Sequence, residues 1–505
     1  MQAARIAGRP GKAGRSGKSS AVVIGGGISG LLAARELAAA GADVTVLEAT
    51  GRFGGCVGSH EVASLTLDSG AESFATRSPA VSDLISELGL EDRLVEPNPE
   101  GAWVQLPEGA VPLPKTGVLG IPADPWAHEV RRALGFWGSV RASVDKWLPA
   151  SVGTKEETAS VSDLVTARMG RIVLERLVMP VVGGVHSADP AILDVDMVAP
   201  NLRRMVAEHG SLARAVTELR ARAKAGSAVA SLAGGMHQLV TALIGELKRS
   251  KVQLVTDTAV TGLQRSDESG KWVVHSASRK WATDAVVVAT PGPAAADLLA
   301  GSIPELEEIR PEPGHQIKLV TLVLDMPELD TPSRGTGILV APQTPGIQAK
   351  ALTHATSKWA WLADEAGPGT HVLRLSYGRM GPTGSTNHGD SREESRIAAE
   401  LHDAGERGKT EPVTDTELLD AAVSDAAALL GVHFTAADLL GSGIVRWQGA
   451  LPFAAVGHRK RIEYARELIN RLPALAVVGS WVAGTGLAAV TADARKSARA
   501  LAEKL

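Results

Sequence analysis

Six residues, Gly25-Gly26-Gly27-Ile28-Ser29-Gly30, fit the pattern G-x-G-x-x-G. In that pattern the first glycine permits a tight turn, the second lets backbone approach a pyrophosphate, and the third lets a helix pack closely on a strand. The pattern alone is weak evidence. It gains weight here because Ala21 to Ile24 reads as a short buried strand and the residues from Ile28 read as a helix. The free N–H groups and positive end of such a helix suit a phosphate. Glu48 follows 18 residues after Gly30, at the end of a second apolar run, Val44 to Leu47. A carboxylate there accepts hydrogen bonds from a ribose 2′-OH and disfavours a 2′-phosphate. Residue types and spacing thus predict dinucleotide binding.

Other candidate chemistry is sparse. A single cysteine, Cys56, excludes a disulfide framework, a structural zinc site and a cysteine-bound iron–sulfur cluster. It accords with a reducing cytoplasm and reads as a small packing residue. His186, His237 and His458 stand among apolar or glycine neighbours, with no histidine or cysteine at i+3 or i+4. They read as structural, and no metal site is expected. Tyr377 and Tyr464 are the only tyrosines, which leaves little material for an aromatic cage. No acid–base dyad stands near the glycine motifs, so no catalytic side chain is assigned. Fifty-two basic against 56 acidic residues give a net charge of -4, which argues against a broad basic face for nucleic acid.

The elements that must position these residues form an α/β chain, α+β overall, with room in 505 residues for two or three domains. Strand, helix Ile28 to Ala40 and strand within about 30 residues imply a parallel sheet, because a helical crossover pairs strands in parallel. Gly41 stands where the helix would end. Helical text follows around 128–147, 162–180 and 200–224, then again after Gly234-Gly235. Strands are expected near 252–256, 271–276 and 284–289, and a second β-rich region spans 316–376. Residues 379–414 read as a polar surface excursion. A helix near 415–430, a strand near 475–478 and a helix from about 488 complete the chain. The uncharged stretch Leu472 to Ala492 is broken by Pro473, Gly479, Gly484 and Gly486, so it reads as buried globular structure rather than a membrane span. Residues 1–20 carry five basic residues and no acid, without the apolar core of a signal peptide, and read as a disordered basic tail.

Beyond the glycine turn, Glu48-Ala49-Thr50-Gly51-Arg52-Phe53-Gly54-Gly55 resembles the extended FAD signature of amine-oxidase-like flavoproteins: an acid, then Arg, then a Gly-Gly pair. Cys56 stands where such proteins usually have Arg or Lys. Asp68-Ser69-Gly70-Ala71-Glu72-Ser73-Phe74, then Arg77-Ser78-Pro79 and Leu88-Gly89-Leu90, resemble the segment that follows in porphyrinogen oxidases. Gly120-Ile121-Pro122, Gly183 to Asp189, Lys358-Trp359, Trp447 to Pro452, Gly457-His458 and Gly479 to Gly486 continue the match in order. The chain is thus similar, over about residues 21–500, to the coproporphyrinogen III oxidase and protoporphyrinogen oxidase family, nearest its soluble Gram-positive type.

That resemblance implies a fold of three parts: an FAD-binding domain from 21–90, 229–310 and 440–505, a helical, membrane-associating domain at 91–228, and a substrate-binding sheet domain at 311–439. It implies FAD contacts at Gly25 to Gly30, Glu48, Ala49, Arg52, Gly54, Gly55, Gly70, Ala71, Glu72, Ser73, Val260, Trp447, Gly484, Thr485, Gly486 and Leu487. On residue type alone Trp447 would read as core. Arg77 reads either as a solvated loop charge or as a clamp on a substrate propionate, for which a guanidinium fork is suited. The implied activity is oxidation of coproporphyrinogen III to coproporphyrin III by molecular oxygen, with release of hydrogen peroxide, in haem biosynthesis. Cytoplasmic location, peripheral membrane contact and a ferrochelatase partner go with it. Protoporphyrinogen IX as substrate, a flavin amine oxidase and a non-catalytic porphyrin carrier are the alternatives.

Overall fold

A computed structural model describes residues 18–115, 117–156, 158–185, 188–222, 228–311, 314, 316–331, 334–378, 414–449 and 455–505. His186, residues 1–17 of the basic tail, and residues 379–413 of the polar excursion lie outside the described residues.

The first strand, Ser20–Ile24, is the centre of a five-stranded parallel sheet. Its order is Gln253–Val255, Asp43–Leu47, Ser20–Ile24, Ala285–Val288 and Leu475–Val477. Strands buried on both sides must be apolar at every position, and Ala285–Val288 is buried throughout. Val23 and Val287 face one layer, with Leu31, Leu243 and Ala494 from the helices Ile28–Ala39, His237–Arg249 and Leu487–Ala502. Val22 and Val288 face the other, with Trp272, Leu299 and Leu468. Leu472 to Ala492 is shared among the strand Leu475–Val477, the short helix Ser480–Ala483 and the start of helix Leu487–Ala502. No helix among the described residues is long and apolar enough to cross a membrane.

A second sheet has seven strands in the order Leu439–Trp447, Ile317–Asp325, Thr370–Tyr377, Ala351–His354, Gly337–Val340, Trp103–Leu106 and Gly109–Pro112. All neighbours are antiparallel except Gly337–Val340 with Trp103–Leu106. The sheet therefore draws strands 103–112 from the segment expected to be helical, and 439–447 from the segment assigned to the FAD-binding part. The pairings of Trp103–Leu106 with Gly337–Val340 and of Leu439–Trp447 with Ile317–Asp325 join residues more than 100 positions apart, and local periodicity carries no trace of them. The helix Asp415–Leu430 covers one face, started by a Thr414–Glu417 capping box. It is pinned there by Asp425, which accepts hydrogen bonds from the Ala349 N–H at 2.7 Å and the Tyr377 hydroxyl at 3.2 Å.

Between the sheet segments lies a helical cluster with its own core, from His128–Ser143 to Leu212–Ala221. At its centre a fully buried Arg168 pairs with Asp145 at 2.5 Å. Asp145 also accepts from Ser211 Oγ and the backbone N–H groups of Leu212 and Ala213, so the buried charges are fully partnered.

Candidate functional site

The glycines of the first turn do two different jobs. Gly25 has φ +106°, and a Cβ on it would lie 2.7 Å from the Ala289 carbonyl oxygen. A Cβ on Gly30 would stand 1.9 Å from the Gly25 carbonyl oxygen, so the helix is pressed onto the strand end. These two positions are glycine because the protein's own backbone fills the space. Gly27 is different: beyond its two chain neighbours, no described residue comes within 4 Å of where its Cβ would be. Gly27 is also the N-cap of helix Ile28–Ala39 and supplies no side-chain cap. Close by, the Thr290 hydroxyl is buried without a hydrogen-bond partner among the described residues, and its backbone N would lie 3.3 Å from a Gly25 Cβ.

Glu48 leaves the second parallel strand and turns back on this loop. Its Oε2 accepts from the Gly26 N–H at 2.7 Å, and its Oε1 from the Thr50 N–H and hydroxyl at 2.9 and 2.8 Å. Ala49 beside it is exposed. The Glu48 carbonyl accepts from Thr258 N–H at 2.8 Å, which sets the start of strand Val260–Arg265 beside the acid. Gly54 N–H donates to the Gly26 carbonyl at 2.8 Å. Gly55, at φ +58°, lies against Gly27.

A second set of contacts extends the site toward the seven-stranded sheet. A Cβ on Gly70 would lie 2.1 Å from the Cys56 carbonyl oxygen, which accepts the Ala71 N–H at 2.9 Å. The Trp447 indole N–H donates to the Ser69 carbonyl at 2.8 Å. The Arg52 guanidinium lies 5.6 Å from the Trp447 ring centroid, within cation–π range. Gly484 and Gly486 have φ +91° and +103°, with open space at their Cβ positions, just before the uncapped helix Leu487–Ala502. Leu487 packs on the same core as Ala71 and Phe53. Thr485 stands between the two open glycines. Glu48, Gly54 and Gly55 of the expected cofactor set thus meet the first glycine turn, and Trp447 reaches the 69–71 loop. Arg77 stands apart: it is exposed and makes no hydrogen bond or ion pair with a described residue.

Glu72 belongs to the same loop, but its side chain leads elsewhere. Its carboxylate meets Lys358 Nζ at 2.5 Å and Arg374 at 3.6 Å. Burial alone would raise its pKa; the two cations reverse that and hold it at about 2. Arg374 also donates to the Gly70 carbonyl at 2.6 Å. Sequence reasoning missed Arg374, although it is the one charged residue in the run Val372 to Leu375 and the alternation of that strand sets it opposite Leu373 and Leu375. Lys358 served only as a landmark of resemblance.

His237 and His458 are committed to structure. His237 pairs through Nδ1 with Asp68 at 3.2 Å, and Asp68 accepts from the backbone N–H groups of Met236 and His237 at 2.9 and 3.0 Å, capping the helix. His458 is buried, with Nε2 3.2 Å from the Trp481 carbonyl oxygen, and burial lowers its pKa.

A parallel sheet carrying a tight glycine turn, an open second glycine and an acid at the end of the next strand defines a protein of the dinucleotide-binding α/β class. The family described as flavin containing amine oxidoreductase matches residues 28–505, and the chain belongs to that family. It is accordingly a flavin-dependent oxidoreductase. Among curated relatives it is similar to the coproporphyrinogen III oxidase of Mycobacterium leprae (strain TN), 29% identical, with 95% of this chain and 97% of the relative covered. The coproporphyrinogen III oxidase of Propionibacterium freudenreichii subsp. freudenreichii is 28% identical, with 94% and 89% covered. A solved structure from Exiguobacterium sp. 255-15, provisionally named protoporphyrinogen oxidase, superposes with a TM-score of 0.79 at 25% identity, covering 97% of this chain and 100% of that one.

Proposed function

We propose that the protein is an FAD-dependent oxidase that converts coproporphyrinogen III to coproporphyrin III. The macrocycle loses six hydrogens, and three molecules of oxygen leave as three of hydrogen peroxide. The observation that carries this reading is the end-to-end likeness to coproporphyrinogen III oxidases, with 95% of this chain aligned to 97% of one relative.

The residues present fit a flavin dinucleotide. The uncapped helix start behind the open Gly27 suits the pyrophosphate, and the unpartnered Thr290 hydroxyl beside the turn has hydrogen-bonding capacity to give. Glu48 is assigned to the adenosine ribose and Val260 to the adenine end through its backbone. Arg52, Gly54, Gly55, residues 70–73 and Trp447 are assigned along the cofactor toward its ring, and Gly484 to Leu487 to the ring itself. When bound, a flavin supplies two-electron redox chemistry and reactivity with oxygen. The chain's own part is to bind and orient the macrocycle and to keep water away. A pyrrole nitrogen can release its own proton, so the reading requires no side-chain base. Arg77 is assigned to a propionate of the substrate. A ferrochelatase taking the product belongs to the same reading, and exposed Trp126, Phe136, Trp137 and Trp147 on the helical cluster support a peripheral membrane or protein contact.

A second substrate, protoporphyrinogen IX, is favoured by the name carried by the Exiguobacterium structure. Anaerobic mixing of the flavin-loaded protein with coproporphyrinogen III should bleach the flavin absorbance in a stopped-flow trace. An unbleached flavin with bound porphyrin would mean a carrier instead.

A further inference from the structure

One cleft lies beside the cofactor assignments and shares only Glu72 with them. It is a small, half-open cleft, with about 30 Å³ open to the centre of a water molecule, between residues 67–72 and the strand Thr370–Tyr377. Its walls are apolar and aromatic, with Leu67, Trp359, Trp361, Leu362 and Val372, yet Arg374 and Glu72 also line it. Lys358 reaches Glu72 from beside the cleft, with its Nζ 5.0 Å from the Trp359 ring centroid. Two cations therefore share one carboxylate. Asp68, the other acid on the cleft wall, faces the N-terminal, positive end of helix His237–Arg249, which offsets its charge. Arg374 is held in place whether or not Glu72 is charged, because it also donates to the Gly70 carbonyl at 2.6 Å. The Trp361 indole N–H is a second, independent sign of a missing acceptor: it is buried and has no hydrogen-bond partner among the described residues. His60 contacts Thr321, another lining residue; its pKa is pushed down first by burial and then by the charges of Arg374 and Arg52, against those of Glu61 and Asp68.

We propose that this cleft is a carboxylate subsite, in which Arg374, Lys358 and the Trp361 N–H receive an organic carboxylate carried on an apolar arm, and Glu72 is the positioning residue that holds the two cations when the subsite is empty. Taken with the reading above, on which this identification of the ligand rests, the arm is a propionate of the porphyrinogen. Only the arm would enter the cleft, with the macrocycle outside it. Guanidinium and ammonium donors beside aromatic walls suit a ligand of that build.

The sign of the Glu72 effect separates a subsite from a structural ion-pair cluster. In a subsite, Glu72 competes with the ligand for the cations, so Glu72→Gln should tighten anion binding, by about threefold to tenfold for a partly screened charge. Lys358→Met should weaken it by about tenfold or more, the value of a charged hydrogen bond. Lys358→Met is the safer deletion, because Lys358 makes no bond to the 68–71 backbone that Arg374 holds. The experiment titrates the purified flavin-loaded protein and both variants with 3-phenylpropionate and with the neutral 3-phenylpropanamide, by calorimetry, with flavin content as the folding check. Opposite shifts for the two variants with the anion, and none with the amide, support the subsite. No binding of the anion by the unaltered protein, equal shifts for anion and amide, or weakening by both variants would overturn it. Coproporphyrin III, titrated in parallel, keeps the two ideas apart. Anion binding as predicted with no porphyrin binding sinks the substrate reading and leaves the subsite. Porphyrinogen turnover with an unchanged KM in both variants sinks the subsite and leaves the reading.

Discussion

Replacing Gly27 by alanine should separate what the glycine turn does for the protein from what it does for a cofactor. Gly27 has φ -69° and ψ 175°, an extended conformation open to any residue, and beyond its two chain neighbours no described residue comes within 4 Å of its Cβ position. The apo-protein should therefore tolerate Gly27→Ala, with stability unchanged or raised by up to about 1 kcal/mol from reduced chain entropy in the unfolded state. The methyl would occupy the space through which a pyrophosphate must approach the backbone. Losing one charged hydrogen bond there costs about 1.5–3 kcal/mol, or about tenfold to 150-fold in FAD affinity. Gly30→Ala makes the contrast. Its methyl would fall 1.9 Å from the Gly25 carbonyl oxygen, so the backbone must move, at an overpacking cost of about 1–3 kcal/mol even without cofactor. Two measurements suffice for each variant: apo-protein Tm, and FAD affinity from quenching of flavin fluorescence. Wild-type FAD affinity in Gly27→Ala, or equal apo-protein Tm losses in both variants, would refute the reasoning.

Arg77→Ala should raise KM by the equivalent of about 1.5–3 kcal/mol with FAD content unchanged, since a side chain with no described partner contributes only through substrate; an unchanged KM returns Arg77 to a solvated charge. Glu72 is held at about 2, below the ordinary carboxylate range of about 4.3, so it adds stability above about pH 4.3 that disappears as the pH falls through about 2. The shift is worth about 3 kcal/mol, and urea unfolding of the wild type and Glu72→Gln should differ by that order near neutrality and converge in acid; a gap independent of pH would contradict the ion-pair origin. His237→Gln and His458→Gln should each cost less than about tenfold in kcat in protein that retains flavin, against about 10²–10⁴ for a lost general base; a thousandfold loss with KM and flavin intact would make that histidine catalytic.

What the sequence revealed follows from how local each signal is. The strand, turn, helix and strand from residue 20 to 47 were legible because the apolar runs, glycines and acid lie within 30 residues of one another. The helix Asp415–Leu430 was equally legible, with Thr414 and Glu417 at its start and Gly431 in the left-handed conformation after its end. The hairpin Ser59–Val62 to Leu65–Asp68 was not, although it builds one side of the cleft. Its two-residue turn is Ala63-Ser64, both at positive φ, where Asn-Gly or Gly would have announced the turn. The cofactor set could be placed by resemblance because its motifs keep their order along the chain. The meeting of Glu72 with Lys358 and Arg374 could not, because those partners lie 286 and 302 positions away on elements whose facing depends on the whole second sheet.

The most direct test of the account is side-by-side turnover of coproporphyrinogen III and protoporphyrinogen IX in air, following porphyrin fluorescence, oxygen uptake and peroxide. The account predicts a higher kcat/KM for coproporphyrinogen III, with about three oxygen molecules consumed and three peroxides released per porphyrin formed, as loss of six hydrogens to a two-electron redox cofactor requires. A higher kcat/KM for protoporphyrinogen IX, or porphyrin formation no faster than the uncatalysed reaction, would contradict it.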